Sequence, residues 1–323
     1  MESDIPTIHE ANIQDVSKKR GWFADPKIQP RWEIPENVVI KVAISGRSAT
    51  EEESVSGAFP STIPEFTNAA AEVIQGGAAG IHFDLSNMKK NTGVELDAGR
   101  KTVDVYREIL APLKQRFDDR FVVDVNILRG KNFQENVSPI TEGVAEMGPV
   151  AAGYNIEWVR AVIKTMQDSG SKPEIVIHGS GEVGLAKKRL IDTGLLEKPY
   201  YFIVLIGTPV DAGLSPFSYT YLPDPVDMCK SLIFITEQIK NIDKESVIIV
   251  CAAGRAAHYI TTLAMMLGLH VRVGVEDTVW RYPGKDEVLG GNLEMLRTAI
   301  TTAEILGRKP ADASEYRRIV GLK

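Results

Sequence analysis

Eight short runs rich in β-branched residues recur along the chain with helical patterns between them, and no other feature restricts the fold as much. They are VVIKVAISG (38–46), AGIHFDL (79–85), FVVDVNIL (121–128), VAAGYNI (150–156), EIVIHG (174–179), YFIVLIG (201–207), SVIIVCAA (246–253) and HVRVGVED (270–277). Between them, stretches such as EFTNAAAEVIQGG, KTVDVYREILAPLKQRF and ITTLAMMLG carry an apolar stripe at helical spacing and end on Gly or charge. Strands alternating with helices argue for repeated βα units and a parallel sheet. Eight units predict a (β/α)8 TIM barrel. A doubly wound open sheet is the competing architecture, because strand number alone does not prove closure.

At 323 residues the chain is long enough for one large barrel domain or two smaller ones. Its net charge of -6 supplies no basic field, which argues against nucleic acid as a partner. Cys229 and Cys251 are the only cysteines and lack zinc or disulfide spacing, so both read as structural. The first residues hold no apolar signal region, and no run of 18 apolar residues occurs, so no membrane association is expected and the cytoplasm is the expected location. Residues 1–37 are polar and punctuated by Pro26, Pro30 and Pro35, a composition that resists regular structure. They read as an extended arm ahead of a barrel at 38–323. Trp22, Phe23 and Trp32 in that arm need apolar cover, from the body or from a neighbouring subunit.

In a (β/α)8 barrel the chemistry gathers at the C-terminal ends of the strands. Polar residues crowd those ends here: Ser45, His82, Asp84, Asn126, Asn155, His178, Thr208, Arg255, Glu276 and Asp277. In IHFDL the two-residue period of a strand puts His82 and Asp84 on one face, side by side as two ligands of one ion must be. A histidine hydrogen-bonded to a carboxylate produces the same spacing. Closure of the eighth strand beside the first lets Glu276 face the second strand across the mouth and complete a His, Asp and Glu set with open positions. Such a set suits zinc, manganese or iron. Asp277 follows at the strand end, where the backbone can turn both acids toward the pocket. Arg272, four residues before Glu276, can orient it and keep it ionised, or can be half of a structural ion pair.

HGSGEVG (178–184) and AAGRAAH (252–258) each open a helix after a strand. Their backbone N–H groups could hold a carboxylate or phosphate, and ordinary turn chemistry explains the glycines equally well. No acidic residue follows HGSGEVG at the position a dinucleotide site requires. His258 reads as packing or capping. GRSATEEES (46–54) reads as a polar loop over the mouth.

CAAGRAAHYITTLAMMLGLHVRVGVEDTVW, the later NLEMLRTAITTAEILGRKPADASEYRRIVGL, TIPEFTNAAAEVIQGGAAGIHFD and FIVLIGTP together give the chain a resemblance to the β-keto acid cleavage enzymes over about residues 38 to 322. The resemblance implies a (β/α)8 barrel that binds a divalent metal, usually zinc, and transfers the acyl end of a β-keto acid to acetyl-CoA with release of acetoacetate. It implies His82 and Glu276 as metal ligands, and Arg272 and Asp277 as a polarising arginine and its catalytic base. It also implies a homo-oligomer, a homotetramer being expected. Where the family has H-x-H after the second strand, this chain has His82-Phe83-Asp84, so Asp84 stands in the place of an imidazole. Asn126-Ile127-Leu128-Arg129-Gly130 stands where the family has a small-residue turn, and the first-loop acid of some members is replaced near Ser48.

The expected function is metal-dependent cleavage or formation of a C–C bond in a small β-keto acid. Asp277 and Arg272 serve catalysis, and His82, Asp84 and Glu276 the metal. Ser48, Asn126, Arg129, His178 and Arg255 contact substrate. Two alternatives stand beside it: a lyase or aldolase that never uses CoA, and a non-catalytic ligand-binding barrel in which His82 and Asp84 only hydrogen-bond.

Overall fold

A computed structural model describes residues 31–44, 60, 62–85, 100–127, 132–207 and 224–322. The arm residues 1–30, together with Ser45, Ser48, Arg129 and Thr208, lie outside the described residues. The body runs from Pro35 to Lys323. Its elements are β1 (Asn37–Val38), β2 (Ile40–Ala43), α1 (Ile63–Gln75), β3 (Gly80–Phe83), α2 (Thr102–Phe117), β4 (Val122–Val125), α3 (Phe133–Thr141) and β5 (Met147–Ala151). They continue with α4 (Ile156–Asp168), β6 (Lys172–Ile177), α5 (Ser180–Ala186), β7 (Tyr201–Ile206), α6 (Pro225–Ile242), β8 (Val247–Ala252) and α7 (Ala257–Met266). The last are β9 (His270–Val273), α8 (Asn292–Ile305), β10 (Lys309–Pro310) and α9 (Ala313–Val320).

Strands β2 to β9 pair in sequence order, all parallel, and close into an eight-stranded barrel. The seam is β2 against β9, with Lys41 opposite Arg272 and Val42 opposite Val273. The open-sheet alternative is thereby excluded. Helices cover the outer wall for local reasons visible in the sequence. Thr62 and Glu65 form a reciprocal capping box at the start of α1, which then buries Phe66, Ala70, Val73 and Ile74. Among the described residues, no helix is long and apolar enough to cross a membrane.

Two strands differ from their sequence runs. The fourth is Met147–Ala151 rather than 150–156. Its ladder with β6 begins at Met147 opposite Lys172, and Gly148 and Pro149, residues that read as breakers, lie inside it. Asn155 accordingly leaves the strand end and caps α4, its Oδ1 accepting from the N–H groups of Glu157 and Trp158. The eighth strand stops at Val273, because Gly274 at φ 143° turns the chain.

The floor of the barrel is closed by α9. Tyr316 is 1% exposed and its hydroxyl lies 2.7 Å from that of Tyr201. Its ring stands where Gly80 has no side chain, and a Cβ there would come within 2.8 Å of Tyr316 Cε1. Val39, Ala79, Val122, Met147, Ile203 and Ile249 belong to the same cluster. Tyr316→Ala should destabilise the fold by about 3–5 kcal/mol, the usual result of emptying a buried aromatic site; urea unfolding measures it. A loss below about 1 kcal/mol would show that α9 does not seal the floor.

Candidate active site

Alternation along β3 turns Gly80 and His82 inward and sends Phe83 out to Phe66 of α1, with ring centroids 6.5 Å apart. The neighbouring strand β4 sets Asp124 directly beside His82. His82 Nδ1 lies 2.9 Å from Asp124 Oδ2, and His82 Nε2 lies 3.6 Å from Glu276 Oε1. Burial alone would lower the imidazole pKa, but Asp124 and Glu276 outweigh it and the value is raised.

Beyond Gly274 the chain makes one turn, with the N–H groups of Asp277 and Thr278 both donating to the Gly274 carbonyl. That turn carries Glu276 and Asp277 over the mouth together. Arg272 reaches up from β9 and grips Asp277 with two bonds, Nε to Oδ2 at 3.2 Å and Nη2 to Oδ1. The same Nη2 lies 3.5 Å from Glu276 Oε1. Arginine thus holds Asp277 by the planar fork and Glu276 by charge. Burial pushes the Glu276 carboxyl above its ordinary range, against the pull of His82 and Arg272.

Below this layer Lys41 donates to Asp124 Oδ2 at 2.6 Å and to Glu174 Oε1 at 2.5 Å, with all three side chains fully buried. Burial opposes the lysine's charge, yet the two carboxylates raise its pKa well above normal, and Lys41 and His82 hold that of Asp124 well below. The result is one connected path of ionisable side chains: Glu174, Lys41, Asp124, His82, Glu276, Arg272, Asp277. Lys41, Asp124 and Glu174 were not anticipated. Their signal was present, since each is a charged residue at an inward position of a run that is otherwise apolar.

Asp84 is half-buried and accepts from Asn126 Nδ2 at 3.0 Å, which links the ends of β3 and β4. Among the described residues, no three His, Cys, Asp or Glu side chains converge closely enough to hold a metal ion. Of the expected His82, Asp84 and Glu276 trio, Asp84 is hydrogen-bonded to Asn126 and His82 and Glu276 stand side by side. A pair does fit a cation. His82 has its Nδ1 bound by a carboxylate, as metal-binding imidazoles do, its Nε2 lies near Glu276 Oε1, and Glu276 Oε2 is buried with no hydrogen-bond partner.

His178 closes on its own helix: Glu182 Oε2 takes both the His178 peptide N–H, at 2.5 Å, and Nδ1, at 3.2 Å. Glu182, unnoticed in the sequence, thus already occupies the start of α5. Arg255 lies 3.8 Å over the Trp280 ring and donates to the Lys285 carbonyl at 2.7 Å and to Asp286, pinning the loop after the eighth strand. Cys251 is buried within the barrel and its thiol pKa is pushed up by that burial. His258 is half-buried with its pKa lowered by desolvation.

Residues 37–322 match the family model described as BKACE, beta-keto acid cleavage enzyme. The chain is similar to the 3-keto-5-aminohexanoate cleavage enzyme of Fusobacterium nucleatum, with 26% identity over 294 residues, 89% of this chain and 99% of that protein. It is also similar to the 3-dehydrocarnitine:acetyl-CoA trimethylamine transferase of Rhizobium meliloti, with 23% identity over 313 residues, 87% of this chain and 95% of that protein. Among solved structures, apo ObcA shares the fold with a TM-score of 0.63 and 18% identity, over 83% of this chain and 66% of that chain. Since the family match runs from the short strand ahead of the barrel to the helix that seals its floor, the chain belongs to the beta-keto acid cleavage enzyme family and cleaves a carbon–carbon bond in a keto acid.

Proposed function

We propose that this chain exchanges the acyl group of a small β-keto acid with that of acetyl-CoA, so that the acyl end leaves on CoA and the two-carbon carboxylate remainder takes up the acetyl group as acetoacetate, with Asp277 as proton acceptor and His82 with Glu276 as the residues that would hold a divalent ion. The observation that carries the reading is the pair of acids turned over the mouth by Gly274, one gripped by Arg272 and the other with Oε1 3.6 Å from His82 Nε2 and Oε2 buried without a hydrogen-bond partner. Carbon between a ketone and a carboxylate is acidic enough for a positioned carboxylate to deprotonate. A bound divalent ion, zinc in the first instance with manganese or iron as alternatives, supplies the Lewis acidity that polarises the ketone oxygen. Asp277 takes the proton. Arg272 holds its carboxylate in one orientation, since two guanidinium bonds fix the plane of the group. Asn126 and His178, at the ends of β4 and β6, are proposed to contact the substrate, as are Ser48 and Arg129. Arg255 acts on the same pocket through the loop it pins. A homotetramer is the proposed assembly. Two relatives named as acetyl-CoA transferases support the use of acetyl-CoA.

The test is a panel of β-keto acids incubated with the purified protein, with and without isotopically labelled acetyl-CoA. Labelled acetoacetate supports the proposal. Cleavage that proceeds equally without acetyl-CoA would replace it by a CoA-independent lyase, and stoichiometric binding without turnover by a ligand-binding barrel.

Asp84 gives a separate prediction. As a ligand, it would bring a second carboxylate to the ion and favour oxygen-preferring metals. Bonded to Asn126 as the structure has it, Asp84 should act from outside the ligand set. Asp84→His should then change the affinity for zinc and for manganese by a similar modest factor. Competitive loading of wild type and variant measures this. A shift of the zinc-to-manganese ratio by tenfold or more would instead make Asp84 a ligand.

A further inference from the structure

The layers that fill a (β/α)8 barrel draw on alternate strands, and branched apolar side chains dominate them. Here the first, third and fifth barrel strands, β2, β4 and β6, contribute Lys41, Asp124 and Glu174 to the interior. Three ionisable side chains at 0% exposure are not what stability alone selects. A well-packed apolar set of the same volume is commonly as stable as a buried ion triad or more so, because desolvation offsets the Coulombic gain. The triad is also incompletely satisfied, since Asp124 Oδ1 has no hydrogen-bond partner.

What distinguishes the triad is where its bonds lead. Lys41 Nζ and His82 Nδ1 converge on the same oxygen, Asp124 Oδ2, at 2.6 and 2.9 Å. The other hand of the ammonium is tied to Glu174, on the strand opposite β2 in the barrel. Beneath it lies Tyr201, whose ring centroid is 6.0 Å from Nζ, and Tyr201 is bonded in turn to the Tyr316 plug. Lys41 therefore has no freedom to follow Asp124, and Asp124 has no freedom to leave Lys41.

We propose that Lys41, latched across the barrel by Glu174, is a positioning residue: it fixes the Asp124 oxygen that engages His82 Nδ1, and thereby aims His82 Nε2 at Glu276 and the substrate space. This rests on the reading of His82 as a metal-binding residue. Lys41 touches neither substrate nor ion in that reading. Its action passes through Asp124 and the imidazole ring, and a loose ring would cost affinity even with all ligands present.

The test uses the full chain carrying Lys41→Met with Glu174→Gln, which removes one positive and one negative group and spares the Asp124–His82 contact. If that pair fails to fold, Glu174→Gln alone releases the latch and takes its place. Two quantities are read on protein shown to be folded by thermal unfolding: zinc affinity against a chelator, and the His82 Nδ1–H proton resonance of the zinc-loaded protein. We expect zinc affinity to fall about 10- to 100-fold and the Nδ1–H resonance to move upfield or vanish through solvent exchange. Unchanged affinity with an unchanged resonance would overturn the proposal and leave the triad as core filling. His82→Ala separates the two levels. If that variant loses zinc while the latch variant keeps it, the metal-site reading survives and only the positioning role falls. If His82→Ala binds zinc like wild type, both fall.

Discussion

Asp277→Asn should lower kcat by about 10²- to 10⁴-fold, the range spanned by a positioned acid–base group, while metal content per chain stays at the wild-type value. The amide is nearly the same size and can still accept from Arg272, so the turn after Gly274 survives, but it cannot take a proton. Glu276→Gln should do the reverse. Its carboxylate sits 3.6 Å from His82 Nε2 with one oxygen unpartnered, so loss of its charge should empty the metal site before it touches any proton transfer. Metal analysis beside initial rates for the two variants separates the roles. Equal metal loss in both, or a fully active Asp277→Asn, would require the two acids to be reassigned.

Gly274→Ala should be the most damaging small substitution in the described part of the chain. At φ 143° the residue occupies a conformation that side chains rarely adopt, and a Cβ would stand 2.2 Å from the Ala43 carbonyl oxygen and 2.9 Å from its nitrogen. These are backbone atoms on the far side of the seam, so no rotamer change relieves the overlap. We expect a loss of more than about 4 kcal/mol, the size reserved for a named structural fault, seen as a large fall in the urea midpoint. The acids depend on the same turn, so whatever folds should also bind metal poorly. A variant within about 1 kcal/mol of wild type would show that the β2–β9 seam can part locally without cost.

The end of the eighth strand also shows what the sequence made legible. Arg272, Glu276 and Asp277 stood out because three charges closed one β-branched run, and the closeness of Glu276 to His82 followed from letting the eighth strand meet the first. The two-residue period of a strand, together with barrel closure, is enough for that inference. It does not reveal which acid Arg272 grips. Four-residue spacing pointed to Glu276, whereas the turn at Gly274 brings Asp277 into the guanidinium fork. Lys41, Asp124 and Glu174 were missed for a different reason. Each looks like an isolated charge within its own strand, and their meeting depends on the stagger between strands, which pattern alone does not express. The fourth strand, Met147–Ala151, overlaps the run 150–156 only at its end, because its first half includes Gly148 and Pro149, which carry no β-branched signal.

The small two-stranded strip of β1 and β10, where Asn37 faces Lys309 and Val38 faces Pro310, bears on how the protein is made. The first barrel strand leaves the ribosome early, yet the Val39 N–H waits for His270, 231 residues downstream. Until then one edge of β2 is an open template for any other strand nearby. Synthesis at about 5–20 residues per second makes that interval tens of seconds long. Even then the strip needs residues 309 and 310, and the floor needs Tyr316. Closure is therefore a late event in the life of the nascent chain, since it waits for strands and a helix that follow β2 by more than two hundred residues.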